Sequence, residues 1–324
     1  MTLAGGWGAP TPDYVALARA GAALSFADVL DAKFDPAGPE RFEALRIWAE
    51  RPTPDELAQH YIRLPGAKAF YRERVPCWEA DLKGNVRAMT VAAQAPDRAS
   101  AERVWNEVER VYGEAVRLEQ QKLIEAKSAS GTRPTAIGRA LSLRAASDQA
   151  WREAKHESDH DAKTGEAIFW KFWNKLCHVS ADNVAFLKAA LDSGNWPRIS
   201  RDGEPATHDA LLIVQHADDQ PDFQARALAH MGKLVSKGEA RANGYAALFD
   251  RVALAGGRQQ RYGTQFGKGK DGCAAVRPVE DHAGLDGRRA AVGLKPLAEY
   301  AKTLSKLYHA RICDDVFASM ESPG

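Results

Sequence analysis

Four apolar residues, Leu211, Leu212, Ile213 and Val214, run straight into Gln215 and His216 with no charge between them. Polar groups carried into a buried helix must be hydrogen-bonded or put to use, because each one left unpaired costs about 1–3 kcal/mol. Asp218, Asp219, Asp250, Arg251, Gln259, Tyr262, Thr264 and Gln265 follow further along the chain. Any fold for this sequence has to find partners for that series. The stretch His208–Gln265 is therefore the candidate functional region.

Around it the apolar spacing is helical. Tyr14, Leu17 and Ala18 share a face, and Leu24, Phe26, Val29 and Leu30 make a second cluster. Val104, Val108, Val111, Val116 and Leu118 sit between charges at near-helical spacing in a segment over Ser100–Ala126. Thr53 or Asp55 would cap a helix running to Tyr61. Further helices are expected over Leu141–Lys155, Glu166–Leu176, Ala181–Leu191, His208–Asp219, from Pro221 to Gly238, and around Tyr245–Val252. Pro221 suits a first helical position, where its missing N–H costs nothing, and Asp218 or Asp219 would be the cap before it. Only Gln259–Phe266 and Ala274–Val279, separated by a Gly- and Lys-rich turn, read as a β-hairpin. The expected fold is mainly α, a helical bundle-like domain with a small β-hairpin near the C-terminus. Gly131–Pro134 is the best candidate linker.

Composition narrows the function classes. The 324 residues carry 44 basic and 43 acidic side chains, a net charge of +1, so no electrostatic argument favours nucleic acid or an anionic membrane as partner. No apolar run approaches the ~20 residues of a membrane helix. The first ten residues lack the pattern of a signal peptide, although a chain whose leader had been removed would read the same. Cys77, Cys177, Cys273 and Cys313 are widely spaced, which suits free, mostly buried thiols in a reducing compartment. The expected location is cytoplasmic, with export after leader removal as the alternative.

His156, Glu157 and His160 match the spacing of a zinc-binding helix. Lys155, Asp159, Asp161 and Lys163 surround them, however, and no apolar face supports a site, so a solvated charged segment is the expected reading and no metal is assigned.

The polar series admits chemistry. His216 can act as a general base near neutral pH, oriented by Asp218 or Asp219, or be a core histidine bonded to a backbone carbonyl and to Gln215. Asp250 and Arg251 can close a helix or together bind a carboxylate, phosphate or carbonyl group. On an expected strand, Tyr262 and Thr264 point to one face and Gln265 to the other.

From about Ala146 to Tyr300 the chain resembles a bacterial family catalogued as a domain of unknown function. The residues that carry the likeness are Asp148, Gln149 and Arg152; Asp182 and Asn183; Trp196 and Pro197; Gln215, His216, Ala217 and Asp218; Phe223 and Gln224; Asp250 and Arg251; Gln259, Tyr262, Gly263, Thr264 and Gln265; and Asp286 and Arg289. The resemblance implies an N-terminal helical appendage over 1–130 and a motif-bearing domain over 135–324, and it brings no activity with it. The residues themselves point to a cofactor-independent hydrolase of an amide- or ester-type bond in a small-molecule or peptide substrate. His216 is its base, Asp218 the orienter, and Arg251 with Tyr262 the stabilisers of negative charge; Gln215, Asp250, Gln259, Thr264, Gln265 and Arg289 hold substrate. No Ser or Cys nucleophile stands out, so water attacks directly. The alternative is a binding or interaction module in which these groups form a structural polar network.

Overall fold

The computed structural model describes residues 24–36, 39–50, 77, 80, 84–154, 159–269, 272–308 and 310–316. The expected cap at Thr53 or Asp55, and His156 and Glu157, lie outside them. The described residues form α1 (Phe26–Phe34), α2 (Pro39–Glu50), α3 (Asn85–Ala93), α4 (Arg98–Ser130), α5 (Ala136–Glu153), α6 (Ala162–Asp192), α7 (Ile199–Asp202), α8 (Glu204–Gln215), α9 (Pro221–Val235) and α10 (Ala242–Ala255). The hairpin β1 (Phe266–Lys268) and β2 (Ala274–Val276) follows, then α11 (Leu285–Ala291) and α12 (Leu297–Tyr308). The architecture is mainly helical with one small antiparallel hairpin near the C-terminus, as the periodicity requires.

The chain divides into two compact units, residues 1–126 with 146–182, and residues 127–145 with 183–324. In the first, α1 is started by a reciprocal cap in which Ser25 and Asp28 satisfy each other's backbone N–H. Val29, Leu30, Phe42 and Met89 make one core cluster there. Val108, Val111, Trp151, Ile168 and Phe172 make another. In the second unit Leu141, Leu187, Trp196, Ile213, Val214, Phe223, Met231 and Leu248 form the main core. Helices α8 and α10 approach so closely that a Cβ on Gly244 would run into Leu211. A smaller cluster of Val276, Val279, Leu285 and Leu297 lies under the hairpin.

Three expectations change. The segments Glu166–Leu176 and Ala181–Leu191 are parts of one helix, α6, which runs unbroken through Cys177, His178, Val179 and Ser180 because no Gly or Pro interrupts it. The helix expected over His208–Asp219 ends at Gln215, with His216 as its cap; Asp218 and Asp219 lie in the turn, and Gln220 precedes Pro221 with no side-chain cap. Gln260–Gln265 is a loop, and pairing starts only at Phe266 opposite Val276. The N–H groups of Arg261, Tyr262 and Thr264 turn inward to a single carboxylate and are not available to a ladder.

The cysteines overturn the reading of free thiols. Cys77 bonds Cys177, with Cα atoms 5.5 Å apart, and Cys273 bonds Cys313, with Cα atoms 5.0 Å apart. Wide sequence spacing misled because helix packing and the hairpin bring distant positions together. The second bridge fastens the C-terminal segment along β2: Cys313 donates its N–H to Ala274 O, Ala274 to Arg311 O, and Val276 to Val316 O.

Denatured without reductant, the protein should therefore show no titratable thiol from its four cysteines. Replacing Cys273 and Cys313 by Ser should lower unfolding stability by about 2–4 kcal/mol in urea. Four reactive thiols in the untreated chain would contradict both expectations.

Candidate functional site

Asp250 organises the site. It stands on the inner face of α10 with no exposed surface. Oδ1 accepts the N–H of Arg261 (2.7 Å) and of Tyr262 (3.0 Å), while Oδ2 accepts the N–H and the hydroxyl of Thr264, both at 2.9 Å. A second buried group, Gln260, closes the loop on itself. Its Nε2 donates to Gln265 O (2.9 Å) and Arg277 O (2.8 Å), and its Oε1 accepts Gln265 N–H (2.9 Å). Gly263 takes φ +62°, a left-handed conformation that favours glycine, and its backbone lies against Leu285 and Leu297.

From the other side, Arg289 of α11 is also fully buried. Its Nη1 donates to Tyr262 O (2.5 Å) and Gly263 O (3.1 Å), and its Nε to Lys295 O (2.7 Å). The guanidinium lies 4.9 Å from the centroid of the Tyr300 ring, and Tyr300 donates its hydroxyl to Thr264 O (3.2 Å). Burial pulls the Arg289 pKa below the ordinary guanidinium value, while Tyr300, Asp286 and Asp250 oppose that shift. The loop's backbone is thus held by a carboxylate, an amide and the Nη1 of a guanidinium whose buried Nη2 has no partner among the described residues.

Around Arg251, the next residue of α10, the arrangement is more open. Arg251 donates Nη1 to Asp218 Oδ1 (2.7 Å). Gln224, buried at the start of α9, donates Nε2 to Val214 O (3.0 Å), Gln215 O (3.5 Å) and Asp218 Oδ1 (3.4 Å), tying the turn after α8 to α9. The Arg251 Nε is shielded from solvent and has no hydrogen-bond partner among the described residues. His216 is half-buried on this turn. Tyr262 is half-buried, its ring edge-on to Phe249 at 5.8 Å, and Phe249 in turn lies 6.2 Å from Tyr245. Burial raises the Tyr245 pKa, and Tyr262 adds to the effect.

The structure brings Asp218 together with Arg251, and Asp250 with Tyr262, Thr264 and Arg289. Gln265 joins the second group by donating Nε2 to Thr264 Oγ1 at 3.1 Å. Gln215 takes part through its carbonyl, and Gln259 is exposed at the edge. Gln260, one residue along, holds the loop, and the sequence pattern offered no signal to prefer it over its neighbour. Tyr300 was equally hidden, whereas Gln224 lies inside the motif series. His160 has Nδ1 3.6 Å from Glu107 Oε1, and no group of three His, Cys, Asp or Glu among the described residues is placed to hold a metal ion. No helix among the described residues is long and apolar enough to cross a membrane.

Residues 137–313 match the model of a family of unknown function, DUF6624. No curated protein matches, and no solved structure does.

Asp250→Ala would strand four donors at once, so it should cost at least about 3 kcal/mol of stability and expose the Gln260–Gln265 loop to proteolysis. Asp218→Ala removes a pair whose carboxylate is 66% exposed, and should cost less than about 1 kcal/mol. Equal losses in urea denaturation would refute this division of roles.

Proposed function

The chain belongs to that family, whose description names no activity, and from the geometry of its own residues we propose that it is a binding module for a small molecule or peptide. Arg251 receives a carboxylate or carbonyl group of that ligand. One observation carries the reading: Arg251 is held in place through Nη1 by Asp218, yet keeps its Nε donor unpaired and out of water. A guanidinium fixed on one edge and unsatisfied on another is preorganised for an oxygen acceptor, and a charge-assisted hydrogen bond to it is about twice as strong as a neutral one. Asp250, Gln260, Thr264 and Arg289 support the site by holding the neighbouring loop rigid. Tyr262, half-buried beside Phe249, supplies an amphipathic contact at its rim.

Hydrolysis of an amide or ester is the second reading. It is favoured by one feature, a half-buried His216 on the same turn as the Asp218 that anchors Arg251. In that mechanism His216 deprotonates water and Arg251 stabilises the oxyanion. The engagement of Asp218 Oδ1 by both Arg251 and Gln224 weighs for binding, because the carboxylate is already committed. Two disulfides support an oxidising compartment, and hence export in preference to the cytoplasm.

A thermal-shift screen of small organic acids and short peptides tests the proposal. Compounds that raise Tm should bind Arg251→Met at least about tenfold more weakly, the loss expected for one charged hydrogen bond. Unchanged affinity in that variant would refute the role of Arg251. Turnover of the same compounds that His216→Ala abolishes without lowering Tm would decide for the hydrolase.

A further inference from the structure

The hairpin of the second unit has two outer edges, and the chain covers one of them. Gly269 donates its N–H to Cys273 O (2.7 Å) and Arg277 to Gln265 O (3.0 Å), so the odd-numbered residues of the hairpin bond to each other and the even-numbered ones point outward. On β2 the outward residues are Ala274 and Val276, whose N–H groups meet Arg311 O (2.7 Å) and Val316 O (2.8 Å) of the C-terminal segment. On β1 they are Phe266 and Lys268, and the backbone of neither has a hydrogen-bond partner on that side among the described residues. Open edges are commonly blunted by a lysine. Lys268 is exposed, but its Cε lies 3.8 Å from where a Cβ on Gly272 would stand, so the side chain folds back over the hairpin's own turn and leaves the edge approachable.

The bounds of this edge select what can pair with it. At Thr264, the next outward position, that side of the chain is taken: the N–H goes to Asp250 Oδ2 (2.9 Å) and the C=O accepts the Tyr300 hydroxyl (3.2 Å). A long extended peptide laid along β1 would run into both. A strand of three residues that then turns away does not, and β1 is itself such a strand. Laid antiparallel to a second copy about a two-fold axis through Gly267, β1 meets its own free groups. Phe266 of each copy faces Lys268 of the other, and four N–H···O=C bonds close. The residues on the axis are glycines, with no side chains to hold the two backbones apart.

We propose that β1 is a homodimer edge, through which two copies of the chain join their hairpins and C-terminal segments into one continuous sheet. The edge lies within the second unit and does not depend on the role assigned to Arg251.

The test follows the backbone amides of full-length 15N-labelled protein at rising concentration, beside sedimentation velocity. Dimerisation should shift the amide resonances of Phe266 and Lys268 and slow their exchange, while Gly269, already bonded to Cys273, stays unchanged. Lys268→Pro removes an N–H that makes no bond within the single chain, so it should weaken the dimer at least tenfold at unchanged Tm. Lys268→Ala keeps that N–H and should dimerise like the parent. A chain that stays monomeric at every concentration overturns the proposal and leaves the edge to a different strand. So does a dimer in which the Phe266 and Lys268 amides do not respond. Equal dimerisation of Lys268→Pro, or equal loss in the Pro and Ala variants, overturns it as well, the second by assigning the contact to the side chain. If the proline loosens the hairpin, the amides of the unaltered chain decide the matter alone.

Discussion

The second unit depends on one carboxylate. Asp250 is buried, with no basic side chain among the described residues bonded to it, and a charge in that position is tolerated only if hydrogen bonds replace its lost water. Four donors do so, three of them backbone N–H groups of a single loop. The same bonds fix the loop's conformation and settle where the hairpin begins. They also turn the carbonyls of Tyr262 and Gly263 towards Arg289. The buried cation is thus accommodated by dipoles that the buried anion has aligned, with no direct ion pair between the two. Arrangements of this kind are cooperative, so the worth of each member depends on the others being present.

Helical character was legible along the chain because apolar residues recur at helical spacing and Gly or Pro marks the stops. The motif residues were legible as a set, since polar side chains crowd the ends of apolar runs. Their division of labour was not. Asp250 and Arg251 are adjacent in sequence but point to different surroundings, one inward to the loop and the other to Asp218. Periodicity also misassigned the segment before Phe266: an alternating pattern fits a strand and a looped chain equally well when the loop's N–H groups have a carboxylate to meet. The cysteine pairing was illegible for a plainer reason, because contacts 100 and 40 residues apart are a property of packing and leave no local trace.

Separating groups already committed from groups still available changes the reading of the motif series. Asp250 and Gln260 satisfy backbone, Arg289 does so through Nε and Nη1, Thr264 gives its hydroxyl to Asp250, and Gln224 secures the turn after α8. Within the motif series, the polar atoms buried without a partner among the described residues are the Nε of Arg251, the Nη2 of Arg289 and the Nδ2 of Asn183.

The Cys273–Cys313 bridge has a consequence in time as well as in space. Cys313 is synthesised after every other residue of the site, and the segment it fastens runs beside β2, next to the cluster that supports Gly263. A ribosome that has delivered Asp250, the loop and Arg289 has still not delivered the clasp. The covalent form of this region therefore arises only after Asp250, the loop and Arg289 have all been made, so the hydrogen bonds of the loop can form before the bridge that fastens the segment beside it.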